Sequence, residues 1–214
     1  MTLDAIDRAF VARWQSRGPA VAAPPTTAPA LPNGLAAEHL GEPDHLGEPD
    51  LVPAPDPDLV PRLLVAGGRQ WAVLATEVEA ARLAGHRAIA VTGGARAEGR
   101  TTLVACLART LRDRGGDVIV VAGGMAALGP RGVPADGGRR HDKRIVLVDA
   151  GIWFPPGPIR RPRLMMASLG CDAAILVRRA DREPAPAWAT ALAAVGVTVL
   201  GEVVTFANPQ QEAA

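Results

Sequence analysis

The stretch Gly94-Ala95-Arg96-Ala97-Glu98-Gly99-Arg100-Thr101-Thr102 has the residue types needed to hold a chain of phosphates. Glycines let backbone N–H groups converge on anionic oxygens, and a helix that starts at such a loop adds the partial positive charge of its first turn. From Gly94 the spacing is G-x-x-x-x-G-R-T, that of a phosphate-binding loop with arginine where lysine is usual. A lysine brings a compact ammonium, whereas the guanidinium of Arg100 is planar, bulkier and forked, so it neutralises a phosphate in a different geometry. Thr101 stands where a hydroxyl ligates Mg²⁺ in such loops. The chain has a single lysine, Lys143, so its composition favours arginine generally. That preference replaces surface lysines harmlessly, but a lysine required for phosphoryl transfer should resist it. The expectation is a loop that binds nucleotide with weak or lost turnover.

A carboxylate for the metal is expected at Asp149, which ends the apolar run Ile145-Val146-Leu147-Val148, 50 residues after Gly99. A strand-end acid of this kind holds Mg²⁺ in phosphate-loop proteins; the alternative role is an ion pair with Arg178 or Arg179. Arg131, Arg139, Arg140, Arg160, Arg161 and Arg163 gather in neighbouring loops, where solvated charge is the ordinary outcome. His86 and His141 have no Ser or Cys nucleophile at motif spacing and read as surface residues. Trp153 and Phe154 are large aromatics in a chain with only 3% aromatic residues, and read as packing or interface anchors before base-stacking groups.

These residues need a scaffold, and the apolar pattern supplies one. Short runs rich in Val and Ile cover 88–92, 117–121, 145–148, 173–177 and 197–206, separated by helical patterns at 70–83, 101–114 and 187–194. Strands that are apolar without alternation are buried on both faces, and their alternation with helices predicts an α/β fold with a mostly parallel sheet and helices on either side. In the 70–83 helix, Trp71, Leu74, Val78 and Leu83 are expected on one side.

Proline divides the rest. Eleven of the 20 prolines lie between Pro19 and Pro61, and none lies between Arg62 and Gly129. Residues 17–61, with the tandem hexads His39-Leu40-Gly41-Glu42-Pro43-Asp44 and His45-Leu46-Gly47-Glu48-Pro49-Asp50, therefore read as a disordered linker. Residues 1–16 read as an amphipathic helix through Leu3, Ile6, Phe10 and Trp14, which either folds back on the chain's own core or docks in a partner's groove. The folded domain is expected over 62–207, with a tail at 208–214. A formal charge of +1 offers no broad field for nucleic acid or an anionic membrane. Two cysteines make no disulfide framework, no apolar run reaches the roughly 18 to 20 residues that span a bilayer, and Asp4 and Asp7 stand where a signal peptide is basic. A cytoplasmic protein that does not itself span a membrane is expected.

Taken in order, Val91-Thr92, Glu98-Gly99-Arg100-Thr101-Thr102, Val146-Leu147-Val148-Asp149, the run from Asp172 to Arg178 and Val199-Leu200-Gly201-Glu202-Val203-Val204 resemble the cytoplasmic tyrosine-kinase module of bacterial exopolysaccharide synthesis, the capsular chain-length-regulator type, itself similar to the partition and division-site ATPases. The likeness spans about residues 69–207. It implies a three-layer P-loop NTPase-like fold, ATP and Mg²⁺ as ligands, a membrane polysaccharide co-polymerase as partner, homo-oligomeric assembly, and a place at the inner membrane through that partner. The chain departs from the family in four ways. The proline expected shortly after the strand-end aspartate is displaced to Pro155 and Pro156. Val120-Val121-Ala122-Gly123-Gly124-Met125 lacks the second acidic motif that supplies a general base, the segment before Ile145 is short, and no tyrosine occurs anywhere, which excludes tyrosine self-phosphorylation. Loss of a general base lowers rates by about 10² to 10⁴. The expectation is a degenerate regulatory or accessory subunit; a nucleotide-free scaffold and an active ATPase or kinase acting in trans are the alternatives.

Overall fold

The computed structural model describes residues 13–16, 58–123 and 144–206. Most of the N-terminal arm, nearly all of the proline-rich segment with its hexads, Arg131, Arg139, Arg140, His141 and the tail lie outside the described residues. The expected α/β alternation is observed. In chain order the elements are β1 (Arg13–Ser16), α1 (Leu59–Ala66), α2 (Gly68–Leu83), β2 (Ala88–Gly93), α3 (Arg100–Asp113), β3 (Asp117–Ala122), β4 (Arg144–Ile152), α4 (Arg161–Ala167), β5 (Ala173–Arg179), α5 (Pro186–Ala193) and β6 (Thr198–Thr205).

The six strands form one sheet in the order β1-β6-β5-β2-β4-β3. All neighbours are parallel except β1, which pairs antiparallel with β6. Period-two alternation sends Ile89 and Val91 into one apolar cluster with Leu63 of α1, Trp71 and Leu74 of α2 and Leu103 and Leu107 of α3. Ala88 and Ala90 face a second cluster with Leu164 of α4, Leu192 of α5, Trp153 and Phe154. The sheet thus carries helices on both faces, and a fully buried Leu in such a core is worth about 2 kcal/mol over an exposed one. Central strand β2 is buried at every position, whereas β3, at the sheet edge, exposes Asp117, Val120 and Ala122.

Three expectations are corrected. Residues 13–16 are strand, so the helix predicted over 1–16 does not reach Trp14; it is the free edge of β6 that recruits this segment, because unpaired strand N–H and C=O groups there are satisfied by another strand. Gly201 makes room for it: a Cβ there would lie 2.6 Å from the Gln15 carbonyl and 2.6 Å from Cζ2 of Trp14. Helix structure begins at Leu59, ahead of the expected start at 62, since Pro61 sits in the first turn of α1, where helix N–H groups have no intrahelical partner to lose. Leu83 is 76% exposed, because twelve residues after Trp71 a helix has turned about 120° away from the buried face.

Cys106 and Cys171 are free and buried, and desolvation pushes both thiols up to about 12. The thiolate is the reactive form, so both should resist iodoacetamide at pH 8 in the native protein and react within minutes after unfolding, as mass spectrometry of the intact chain would show. Rapid labelling of the folded chain would contradict this burial. Among the described residues no helix is long and apolar enough to cross a membrane.

Candidate functional site

In a parallel sheet, ligands collect beyond the carboxyl ends of strands where the strand order reverses. Here that point is the end of β2, since the chain leaves β2 by α3 towards β3 and β4 on one side and later returns as β5 on the other. The Gly94–Thr102 segment lies at this point, between β2 and α3. Its turn is made by Ala97 and Gly99, with φ of 56° and 78°. Glycine adopts the left-handed region freely, whereas Ala97 pays about 1 to 2 kcal/mol to be there. Gly99 is the N-cap of α3 and no side chain caps that helix, so side chains leave its first-turn amides, those of Arg100, Thr101 and Thr102, available for an acceptor.

The neighbouring strand brings the acid into place. Asp149 pairs in register with Val91, and past that point β4 carries an extra residue, with Gly93 opposite Ile152. Such a bulge bends a strand and re-aims its side chains. Gly151, with φ of 68°, makes the bend, and Thr92 Oγ1 donates to its carbonyl at 3.0 Å. Across the gap Thr101 Oγ1 donates to Asp149 Oδ2 at 2.6 Å. The two oxygens expected to serve a metal therefore meet at the first turn of α3, although 48 residues separate them. A hydroxyl and a carboxylate are hard oxygen donors of the kind Mg²⁺ takes, with phosphates and waters completing its shell. The alternative partners of Asp149 are engaged elsewhere: Arg178 pairs with Glu202 at 3.0 Å and Arg179 with Asp181 at 3.1 Å.

Glu98 and Arg100 depart from a simple cradle. Glu98 is only 2% exposed, and its Oε2 accepts from the Gly94 amide at 3.0 Å and from Arg100 Nη1 at 3.1 Å. Arg100 Nη1 also donates to the Ala95 carbonyl at 2.6 Å, folding the guanidinium back onto the loop. Burial pushes the Glu98 carboxyl above the ordinary glutamate value, opposed by backbone hydrogen bonds from Ala95 and Gly94 and by the charges of Arg100 and Arg182. Arg96 and Ala97, at the loop's tip, are exposed.

Several side chains that shape this loop carry no motif signal. Thr205, at the end of β6, donates to the Glu98 carbonyl at 2.8 Å. The Trp188 ring packs against Gly94, leaving a Cβ no room there, and stacks on Phe154 with ring centroids 4.7 Å apart and planes 6° apart. Trp153 and Phe154 are buried, as packing anchors are. A cavity of about 230 Å³ lies beyond them, lined by Pro155, Pro158, Arg160 and Arg163 among others. Only the fold brings these positions together, because Thr205 and Trp188 come from a strand end and a helix with no sequence proximity to the loop.

The arrangement gathers first-turn amides, a hydroxyl and a carboxylate at the carboxyl end of β2. Among the described residues, β3 ends Val120-Val121-Ala122 without an acid. Among the described residues no three His, Cys, Asp or Glu side chains form a metal cluster. No protein-family model matches the chain, and none of the curated proteins matches it.

Proposed function

We propose that the chain is a nucleotide-binding P-loop protein of the exopolysaccharide-kinase type that takes ATP with Mg²⁺ and acts as a regulatory or accessory subunit with little or no phosphotransfer. The observation that carries this reading is the meeting of Thr101 and Asp149 at 2.6 Å beside the uncapped start of α3. Helix N-termini and left-handed loop turns favour phosphate, and the paired oxygens suit Mg²⁺. Absence of an acid at the carboxyl end of β3 and of any tyrosine supports weak or lost catalysis. A membrane polysaccharide co-polymerase as partner, and assembly with further copies of the chain, follow from the resemblance and belong to the same proposal.

Equilibrium dialysis of the full chain with ATP tests it. Saturable binding that needs Mg²⁺ is expected, weakened about tenfold or more in Asp149→Ala, since removing a charged ligand of a phosphate-bound metal removes about 1.4 kcal/mol or more. ATP hydrolysis should stay near background. Absence of saturable binding would leave the second reading, a nucleotide-free scaffold, which is favoured by one observation: the Glu98 carboxylate already takes the Gly94 amide.

A further inference from the structure

A buried carboxylate inside a loop expected to bind anions needs a reason. Glu98 is not a surface acid that happens to bend inward: it is 2% exposed, its backbone carbonyl is held by Thr205, and its side chain lies so close to Gly93 that no Cβ fits there. Its Oε2 accepts from Gly94 N–H and from Arg100 together. Arg100 is itself 12% exposed and is held at its other contact by the Ala95 carbonyl. Arg100, the cation at the motif's lysine position, is thus already paired, and one amide of the loop is already taken. An ion pair at low exposure is strengthened by weak screening, and an incoming phosphate must compete with it.

We infer that Glu98 is an internal competitor for the loop's anion: its carboxylate holds the Arg100 guanidinium and the Gly94 amide in a latch, and an incoming phosphate chain engages Arg100 only after that latch opens. The inference rests on the proposed reading for the identity of the ligand, but not for the latch itself. Glu98 therefore determines affinity. It makes the site weaker than a loop with a free cation, so that occupancy follows changes in nucleotide concentration instead of saturating early.

The test uses the full chain and two probes, inorganic tripolyphosphate and Mg²⁺-ATP, with binding followed by calorimetry and folding checked by thermal melting. Glu98→Gln keeps the shape and removes the charge, and should tighten binding of both probes about tenfold, the equivalent of about 1.4 kcal/mol. In an Arg100→Ala background the same change should bring less than about a threefold gain, because the guanidinium it would free is absent. Glu98→Asp, one methylene shorter, keeps the charge but reaches the pair less well, and should give a smaller gain; it carries the test should Glu98→Gln fail to fold. If ATP binds wild type and both Glu98 variants equally, or binds the variants more weakly, the latch is overturned while nucleotide binding stands. If Glu98→Gln takes up tripolyphosphate more tightly but no protein takes up ATP, the latch stands and the nucleotide reading falls. If no protein binds either probe, both are overturned.

Discussion

Gly93→Ala is expected to destabilise the protein by about 3 kcal/mol, at the upper end of what overpacking a rigid site costs. A Cβ at this position would lie 2.6 Å from the backbone carbonyl of Val177 on β5 and would overlap the Glu98 carboxylate. The carbonyl belongs to a strand hydrogen-bonded on both sides and cannot retreat without breaking the β2–β5 ladder, in which Gly93 pairs with Val177. The Glu98 side chain can leave only by giving up its bonds to Gly94 and Arg100. Gly94→Ala is the internal comparison. Its Cβ meets the edge of the Trp188 ring, a side chain on a short helix, with the nearest backbone atom, the Phe154 carbonyl, farther off at 3.2 Å. Urea unfolding should therefore place Gly94→Ala between Gly93→Ala and wild type. Equal midpoints for Gly93→Ala and wild type would mean that β2 and β5 part more easily than their register implies.

A second large effect is expected at the pair Arg178–Glu202, which joins β5 to β6 with side chains only 8% and 6% exposed. Glu202→Ala should lower stability by about 3 to 5 kcal/mol, because it strands a buried guanidinium while leaving its desolvation in place. For a domain whose total stability is about 5 to 15 kcal/mol, that is a substantial fraction. Arg178 retains hydrogen bonds to the Arg182 carbonyl at 2.6 Å and the Arg179 carbonyl at 3.4 Å, which hold its position but bring no opposite charge. Replacing both partners, Arg178→Met with Glu202→Leu, should recover most of the loss, since the apolar pair needs no counter-ion. Denaturant titration of the two single variants and the double variant separates these outcomes, and a Glu202→Ala loss below about 1 kcal/mol would mean that water reaches Arg178. Because Thr205 of the same strand holds the Glu98 carbonyl, loosening β6 should also disturb the loop.

Much of the fold was legible because it is written in local pattern. The uninterrupted apolar runs of β2 and β5 state burial on both faces, and the loop spacing between a strand and a helix places Gly94–Thr102 at a strand's carboxyl end. Asp149 was legible for the same reason, as the acid that closes an apolar run. Other features had no such signature. Helix α4 reads Arg161-Pro162-Arg163-Leu164-Met165-Met166-Ala167, too short for a periodicity to emerge, with Leu164 its only buried residue. The helical spacing of Leu3, Ile6, Phe10 and Trp14 is equally visible, yet Trp14 pairs with Val203 in a sheet, because the edge of β6 outbids a local propensity that is weak at so few residues. Leu83 fits an apolar spacing that the true 3.6-residue period does not honour over three turns.

What the residues alone determined was the inventory: an α/β alternation, a glycine-bearing turn of defined spacing, a hydroxyl, a strand-end acid, and an arginine in place of lysine. What only tertiary structure decided was their partnerships. Whether Asp149 would meet Arg178 or Thr101 depended on which strands lie side by side, and the order β5-β2-β4 placed it beside Thr101 while β6 supplied Glu202 to Arg178. Whether Arg100 would face solvent or turn inward depended on a buried acid two residues before it. Chain spacing sets which residues are available, but charges and hydrogen bonds choose partners by distance in space, and distance between strands is a property of the sheet order, not of the sequence separation.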